Sequence, residues 1–302
     1  MFKHILVPLD GSRLAESVLP AANYIAQNMH ATITLIHVIE KNAPEEIHGE
    51  HHLTNAKEAN LYLSDIAARS FSPELPIKQH VHTSEVNNVS RSIADHADEL
   101  APDLIIMCTH GRGGLHDFLV GSIAHQVIAM GKIPVMLIHP QENGEPAPFN
   151  CKQLLVPLDS TPDHELSIPV ASSLAHICQS SIYLLIVVPM LGDLKGKRAA
   201  TGKLLPGTMT AILEMAEENA QQYLSDHAER LKDQGLPVIT EVLRGDPADR
   251  IIETGERIKA DLILLVTHGR IGQEAFWAGS VAPRVSGLSR IPLLLVPVRE
   301  SA

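Results

Sequence analysis

The 302-residue chain reads as an α/β protein built from two tandem, doubly wound domains, each a parallel sheet with helices on both faces. Three observations predict this class. Short apolar runs alternate with helical patterns in the order βαβαβαβαβ, which calls for right-handed crossovers between parallel strands. The pattern then occurs a second time: Ile5-Leu6-Val7-Pro8-Leu9-Asp10 returns as Leu154-Leu155-Val156-Pro157-Leu158-Asp159. Finally, hydrophobic residues make up 45% of the chain but aromatic ones only 3%, so Val, Ile, Leu and Ala supply a core suited to strands buried on both faces.

Strand one ends in Asp10-Gly11-Ser12, a turn and helix-start signal, and one continuous first helix is expected through Leu14, Val18, Ala21, Ala22 and Ile25. Glu16 and Pro20 recur as Glu165 and Pro169 at a common offset of 149 residues. Strand two is expected at Thr32 to Val38 and at Ser181 to Val187, both β-branched and turn-bounded. A variable segment follows in each half. In the first it carries His48, His51 and His52, read as a solvated His-rich loop with divalent-metal binding as the alternative; in the second it runs from Gly192 to Gly207. A long amphipathic helix then carries Tyr62-Leu63-Ser64-Asp65 and, after an insertion of about a dozen residues, Tyr223-Leu224-Ser225-Asp226. Strand three is expected at Ile77 to His82 and Val238 to Leu243. The next helix opens at Asp246-Pro247, an acidic cap followed by proline in the first turn, and at Asn87-Asn88 in the first copy. Strand four, Asp103 to Met107, matches Asp261 to Leu265, and strand five, Ile133 to Ile138, matches Ile291 to Val296, both at an offset of 158. Pro140 to Pro148 is polar and holds three prolines, so the domains are placed at 1–142 and 151–302 with a linker at 143–150.

A formal charge of −11 leaves no basic surplus for a phosphate backbone, which argues against nucleic acid. Cys108, Cys151 and Cys178 form neither a metal-ligand spacing nor an even-numbered disulfide set. With no signal-type apolar start and no apolar run of about 18 residues, the sequence points to a cytoplasmic protein that does not engage a membrane.

Candidate chemistry concentrates after strand four, in His110-Gly111-Arg112 through Gly121-Ser122, echoed by His268-Gly269-Arg270 through Gly279-Ser280. Nine residues separate the glycines in both copies. Glycine lets backbone N–H groups approach a ligand closely, and a helix opening at the serine adds a positive dipole end, so the stretch suits a phosphate. In open parallel sheets ligands collect at the carboxyl ends of strands, where this loop should meet Asp10 and Val38, or Asp159 and Val187 in the second half. An acid, an apolar rim and an anion nest together match a ribonucleotide. Taken singly, Asp10 and Asp159 also suit turns or helix caps, and the Gly-Ser pairs plain helix starts. No Gly-Lys-[Ser/Thr] phosphate loop, Gly-x-Gly-x-x-Gly fingerprint or base–nucleophile pair accompanies them, so catalysis has no named residues.

Val-Pro-Leu-Asp after strand one, the His37-Val38 ending of strand two, Gly245-Asp246-Pro247-Ala248 and the two loops make the chain similar to the universal stress protein family in its tandem form. The resemblance covers nearly the whole chain. It implies five strands per domain in the order 3-2-1-4-5 and, for one subclass, ATP binding through Gly-x2-Gly-x9-Gly-[Ser/Thr]. Carried onto this sequence, it implies nucleotide contacts from Pro8, Leu9, Asp10, Val38, Met107, His110, Gly111, Arg112, Gly121, Ser122 and Ile123. In the second domain the counterparts are Asp159, Val187, His268, Gly269, Arg270, Gly279 and Ser280. The implied ligand is ATP, ADP or AMP, with Mg2+ as a candidate companion ion. The first motif glycine is replaced by Cys108 and by Val266, and β-branched valine is the harder of the two to accommodate, so the first domain is the better site. Asp117 and Glu274 oppose a phosphate there, and Arg112 and Arg270 partly offset them. The expected role is stress response through ligand-dependent conformation or partner contacts; a slow ATP hydrolase and an interaction module without nucleotide are the alternatives. Pairing of the two fifth strands would make an intramolecular pseudo-dimer, with a homodimer left open.

Overall fold

The computed structural model describes residues 1–42, 46–47, 50–109, 122–130, 132–141, 146–193, 200–201, 204–267 and 281–298. In chain order the first repeat runs β1 (His4–Pro8), α1 (Arg13–Glu16), α2 (Leu19–Met29), β2 (Thr32–Glu40), β3 (Glu46–Ile47), β4 (Glu50–His51), α3 (Ala56–Ser70), β5 (Ile77–Val86), α4 (Val89–Leu100), β6 (Leu104–Cys108), α5 (Ser122–Met130) and β7 (Val135–Ile138). The second runs β8 (Gln153–Leu158), a 3-10 turn (Pro162–Leu166), α6 (Ser167–Cys178), β9 (Ser181–Val188), a further 3-10 turn (Leu191–Asp193), α7 (Pro206–Asp233), β10 (Val238–Arg244), α8 (Pro247–Ile258), β11 (Leu262–Thr267), α9 (Val281–Leu288) and β12 (Leu293–Pro297).

The chain divides into two compact units, the first comprising residues 1–150, 267–278 and 292–302, the second 151–266 and 279–291. In the first unit the parallel strands lie in the order β5-β2-β1-β6-β7, the expected 3-2-1-4-5. The central strand explains itself: Ile5, Leu6 and Val7 are fully buried, because helices cover both faces, and each such side chain contributes about 1.5–3 kcal/mol of hydrophobic stabilisation. Strand β12 joins this unit by pairing antiparallel with β7, Leu293 opposite Leu137 and Leu295 opposite Val135. The strand expected as the fifth of the second repeat therefore covers what would otherwise be an open edge of β7. In the second unit β8 pairs in parallel with β9 and β11, and β9 with β10.

Helix caps follow the sequence signals. Asn88 Oδ1 accepts from Arg91 N at 2.8 Å, and Asp246 Oδ1 accepts from Ala248 N at 3.0 Å. The first helix departs from expectation, since it is broken into α1 and α2. Pro20 has no N–H for the Glu16 carbonyl, and its ring disfavours a continuous turn there. The chain instead closes shorter bonds, Ser17 N and Ser17 Oγ both reaching Leu14 O. In the second repeat Pro169 lies in the first turn of α6, and a 3-10 turn likewise precedes that helix. The polar segment after β2, expected to be irregular, contains the β3–β4 hairpin, with Glu46 opposite His51. Strand β5 runs on to Val86 past a register shift between Val38 and Glu40.

Candidate functional site

At the carboxyl ends of β1, β2 and β6 lies a cavity of about 80 Å3. Pro8, Leu9 and Asp10 enter it from the end of β1, and Ile36, His37, Val38 and Glu40 from β2, whose register sets Ile36 beside Pro8. Met107 and Cys108 close it from β6, Val89 and Ile93 from α4, and Ile123 from the first turn of α5. This is the position a doubly wound sheet assigns to ligands, because the crossovers from β1 and β6 diverge to opposite faces. Pro8, Leu9, Asp10, Val38, Met107 and Ile123, all expected at one site, thus share one cavity. His110, Gly111, Arg112 and Gly121 lie outside the described residues, as do His268, Gly269, Arg270, Gly279 and Ser280; of Ser122, the backbone opens α5.

Asp10 is neither a helix cap nor a bare surface acid. Its Oδ1 accepts from Ser12 N at 2.9 Å and from Ser12 Oγ at 2.7 Å, and Ser12 Oγ in turn accepts from Ala15 N, so Ser12 caps α1 while Asp10 orients the cap. Between them Gly11 takes φ +92°, with Leu53 packed against the face where a side chain would stand. His37 ties this turn to the chain that crosses it: Nδ1 lies 2.8 Å from the Leu9 carbonyl and Nε2 3.1 Å from that of Leu53. On α3 the Tyr62 hydroxyl is pushed far above its usual range, first by burial and then by the charges of Glu16 and Asp10. It stays protonated at neutral pH beside a carboxylate.

Several lining residues escape a motif-based reading. Glu40, Val89, Ile93 and Ala15 carry no motif, and only their strand-end or helix-face positions mark them. His52, expected in a solvated loop, is 3% exposed and lines the cavity. The adjacent Leu53 is also buried, its carbonyl 3.1 Å from His37 Nε2, a tertiary arrangement with no local signature. Apolar walls with Asp10 and Glu40 at the strand ends suit a flat heterocycle and its hydroxyls better than a bare anion.

The second repeat treats its acid differently. Asp159 Oδ1 accepts from Thr161 N at 3.0 Å and Thr161 Oγ1 at 2.6 Å, repeating the turn of the first copy. It also lies 2.7 Å from His164 Nδ1. Burial raises the Asp159 pKa, but hydrogen bonds from His164 and from the Thr161 hydroxyl and backbone outweigh it and bring the carboxyl down to about 2. At the offset of 149 residues His164 corresponds to Ala15, a cavity-lining residue in the first repeat. The second copy therefore carries an imidazole where the first has a methyl group, and that imidazole engages the acid. Ser160 takes φ +63° where the first copy has glycine, and Val187 and Val266 are half-buried.

A sequence profile described as the Universal stress protein family matches residues 1–139 and 150–297. A universal stress protein of Methanocaldococcus jannaschii is 31% identical over 153 residues, spanning 48% of this chain and 81% of the relative. Among solved structures, a protein of unknown function from Pseudomonas aeruginosa PAO1 superimposes with a TM-score of 0.69 at 14% identity, covering 98% of this chain and 93% of its own. A universal stress protein from Archaeoglobus fulgidus gives 0.62 at 14% identity, covering 98% and 97%. At that identity the likeness is one of fold. Among the described residues, no helix is long and apolar enough to cross a membrane.

Proposed function

Since the chain belongs to the universal stress protein family, with two repeats in tandem, we propose that it binds an adenine nucleotide, ATP, ADP or AMP, in the cavity of the first repeat. It acts in the cytoplasm, in stress response, through ligand-dependent conformation or partner contacts. The observation that carries this reading is the convergence of Pro8, Leu9, Asp10, Val38, Met107 and Ile123 on one cavity at the strand ends. Asp10, held by Ser12, offers a carboxylate to ribose hydroxyls or the adenine amino group, and Val38, Met107 and Ile123 give the base an apolar slot. Asp10 and Glu40 disfavour phosphates at this end, so the phosphates extend toward the N-terminus of α5, whose dipole favours an anion. Mg2+ would accompany them there.

The second repeat is the weaker site in this reading. His164 competes for Asp159, and Val266 stands where the family motif has glycine. No described group is placed as an activated nucleophile or base, so binding rather than hydrolysis is the proposed activity.

The test has two arms. Mass spectrometry of the small molecules released from protein denatured directly after purification identifies the ligand carried from the cell. Calorimetric titration of nucleotide-free protein with ATP then compares wild type with Asp10→Ala and with His164→Ala/Val266→Gly. Expected results are one tight site lost in Asp10→Ala, and a second site gained in the double variant. Absence of co-purified nucleotide together with no heat of ATP, ADP or AMP binding would overturn the reading and favour an interaction module.

A further inference from the structure

Away from the cavity, three imidazoles converge between the last strand of the first unit's sheet and the helix packed on it. His80 and His82 occupy alternate positions of β5, so both leave the same face of the strand. His96 stands on α4, buried, with its ring centroid 4.7 Å from that of His80 and 4.8 Å from that of His82. One ring nitrogen from each of the three lies within 4.8 Å of the others.

The fold does not require this arrangement. Ile36 pairs with His80 and Val38 with His82, and at the same register of the second unit Leu185 pairs with Glu241 and Val187 with Leu243. There Glu241 accepts from the Tyr183 hydroxyl and from Arg257, an ordinary polar surface. Nor do the three rings satisfy one another. His80 Nε2 is buried without a hydrogen-bond partner. His96 Nδ1 lies 2.7 Å from the Ser92 carbonyl, so that nitrogen carries the proton and donates, leaving Nε2 with its lone pair. A ligand imidazole whose far nitrogen is anchored to a backbone carbonyl is how metal-binding histidines are oriented. Burial, and the neighbouring His96 and His82, lower the His80 pKa against the opposing charge of Glu99.

We propose that His80, His82 and His96 form a binding site for a first-row divalent cation, with Zn2+ the ion that three imidazole nitrogens and an open fourth position suit. Tetrahedral Zn–N bonds of about 2.0–2.1 Å place ligand nitrogens about 3.4 Å apart, so the rings must close by roughly 1.4 Å at most. His80 and His82 are half-buried on a strand with no described strand beyond it, and side-chain rotation alone can supply this. Water takes the fourth position, with the Glu99 carboxylate close enough to His80 to be felt electrostatically. None of the three histidines lines the nucleotide cavity.

The experiment uses the full chain, stripped with a chelator and kept free of nucleotide. Zn2+ is titrated in competition with a chromophoric chelator, and Co2+ binding is followed by its visible spectrum. About one equivalent is expected in the micromolar range or tighter, with a tetrahedral Co2+ spectrum. His82→Ala is expected to weaken binding by about tenfold or more, and His80→Ala/His82→Ala to abolish it, with circular dichroism unchanged. His48→Ala/His51→Ala is expected to leave this binding intact. Equal Zn2+ affinity and stoichiometry in wild type and the His80→Ala/His82→Ala variant, or no binding in either, would overturn the proposal.

Discussion

Gly11→Ala tests how the turn that presents Asp10 is built. Gly11 sits at φ +92°, and an added Cβ would stand 2.9 Å from Leu53 Cγ and 3.0 Å from Leu53 Cδ1. The backbone strain costs about 1–2 kcal/mol. The steric contact adds about 1–3 kcal/mol, because Cγ is a branch point rather than a free end and Leu53 is itself held through its carbonyl to His37. Reduced freedom of the unfolded chain returns about 0.4–1 kcal/mol. The net expectation is a loss of about 1–4.5 kcal/mol, read by urea unfolding of the first unit's transition with far-ultraviolet circular dichroism. A double-mutant cycle with Leu53→Ala separates the two costs, since only the contact is relieved when the Leu53 side chain is cut back. A coupling energy of at least about 1 kcal/mol is expected. A Gly11→Ala loss below about 0.5 kcal/mol, or no coupling, would refute this account of the turn. Because Leu53 adjoins His52, which lines the cavity, ATP affinity should fall in the single variant and recover in part in the double.

Further outcomes can be checked separately. The Asp159 carboxyl should titrate near pH 2 by NMR, moving up toward the ordinary value of 3.8 in His164→Ala. Its depressed pKa stabilises the fold above about pH 4 and is lost as pH falls toward 2; with half the side chain exposed, the contribution is no more than about 1 kcal/mol. Asp246→Ala removes the cap of α8 and both oxygens held by Arg284 Nη1 at 2.7 and 2.6 Å, an expected loss of about 1–2 kcal/mol in chemical denaturation. At Gly255, buried in α8, an added Cβ would crowd the movable Ile291 Cδ1 at 2.7 Å, so Gly255→Ala should be near neutral as the helix gain of about 1 kcal/mol offsets the crowding. Gly255→Leu should instead cost about 1–3 kcal/mol, since Ile263 and Leu155 also lie at van der Waals distance. Pro20→Ala should raise helix content across residues 13–29 by circular dichroism, restoring the N–H that the α1–α2 break lacks.

How much of this could be read along the chain follows from the range of the forces involved. Strand and helix identity rest on local patterns: Ile5-Leu6-Val7 and Leu104-Ile105-Ile106 are apolar without interruption because both faces of their sheet are covered, and Asn88 and Asp246 cap because their side chains reach N–H groups two or three residues on. The repeat supplied the tandem organisation, and the strand order 3-2-1-4-5 followed from the family resemblance that its motifs carry. Pro20 and Pro169 also carried the helix break in plain view, although apolar periodicity through Leu14, Val18 and Ile25 masked it.

The sequence by itself determined the class, the tandem repeat, the caps and the strand-end residues Pro8, Leu9, Asp10, Val38 and Met107, because each depends on neighbours within a few positions or on a repeated spacing. Only the tertiary structure decided what surrounds them. Residues distant along the chain must be brought to one place before His52 can turn inward, His164 can take hold of Asp159, β12 can pair with β7, or His96 can meet His80 and His82. Those encounters depend on sheet register and on which helix face is buried, quantities set by packing across the whole unit rather than by the local order of side chains.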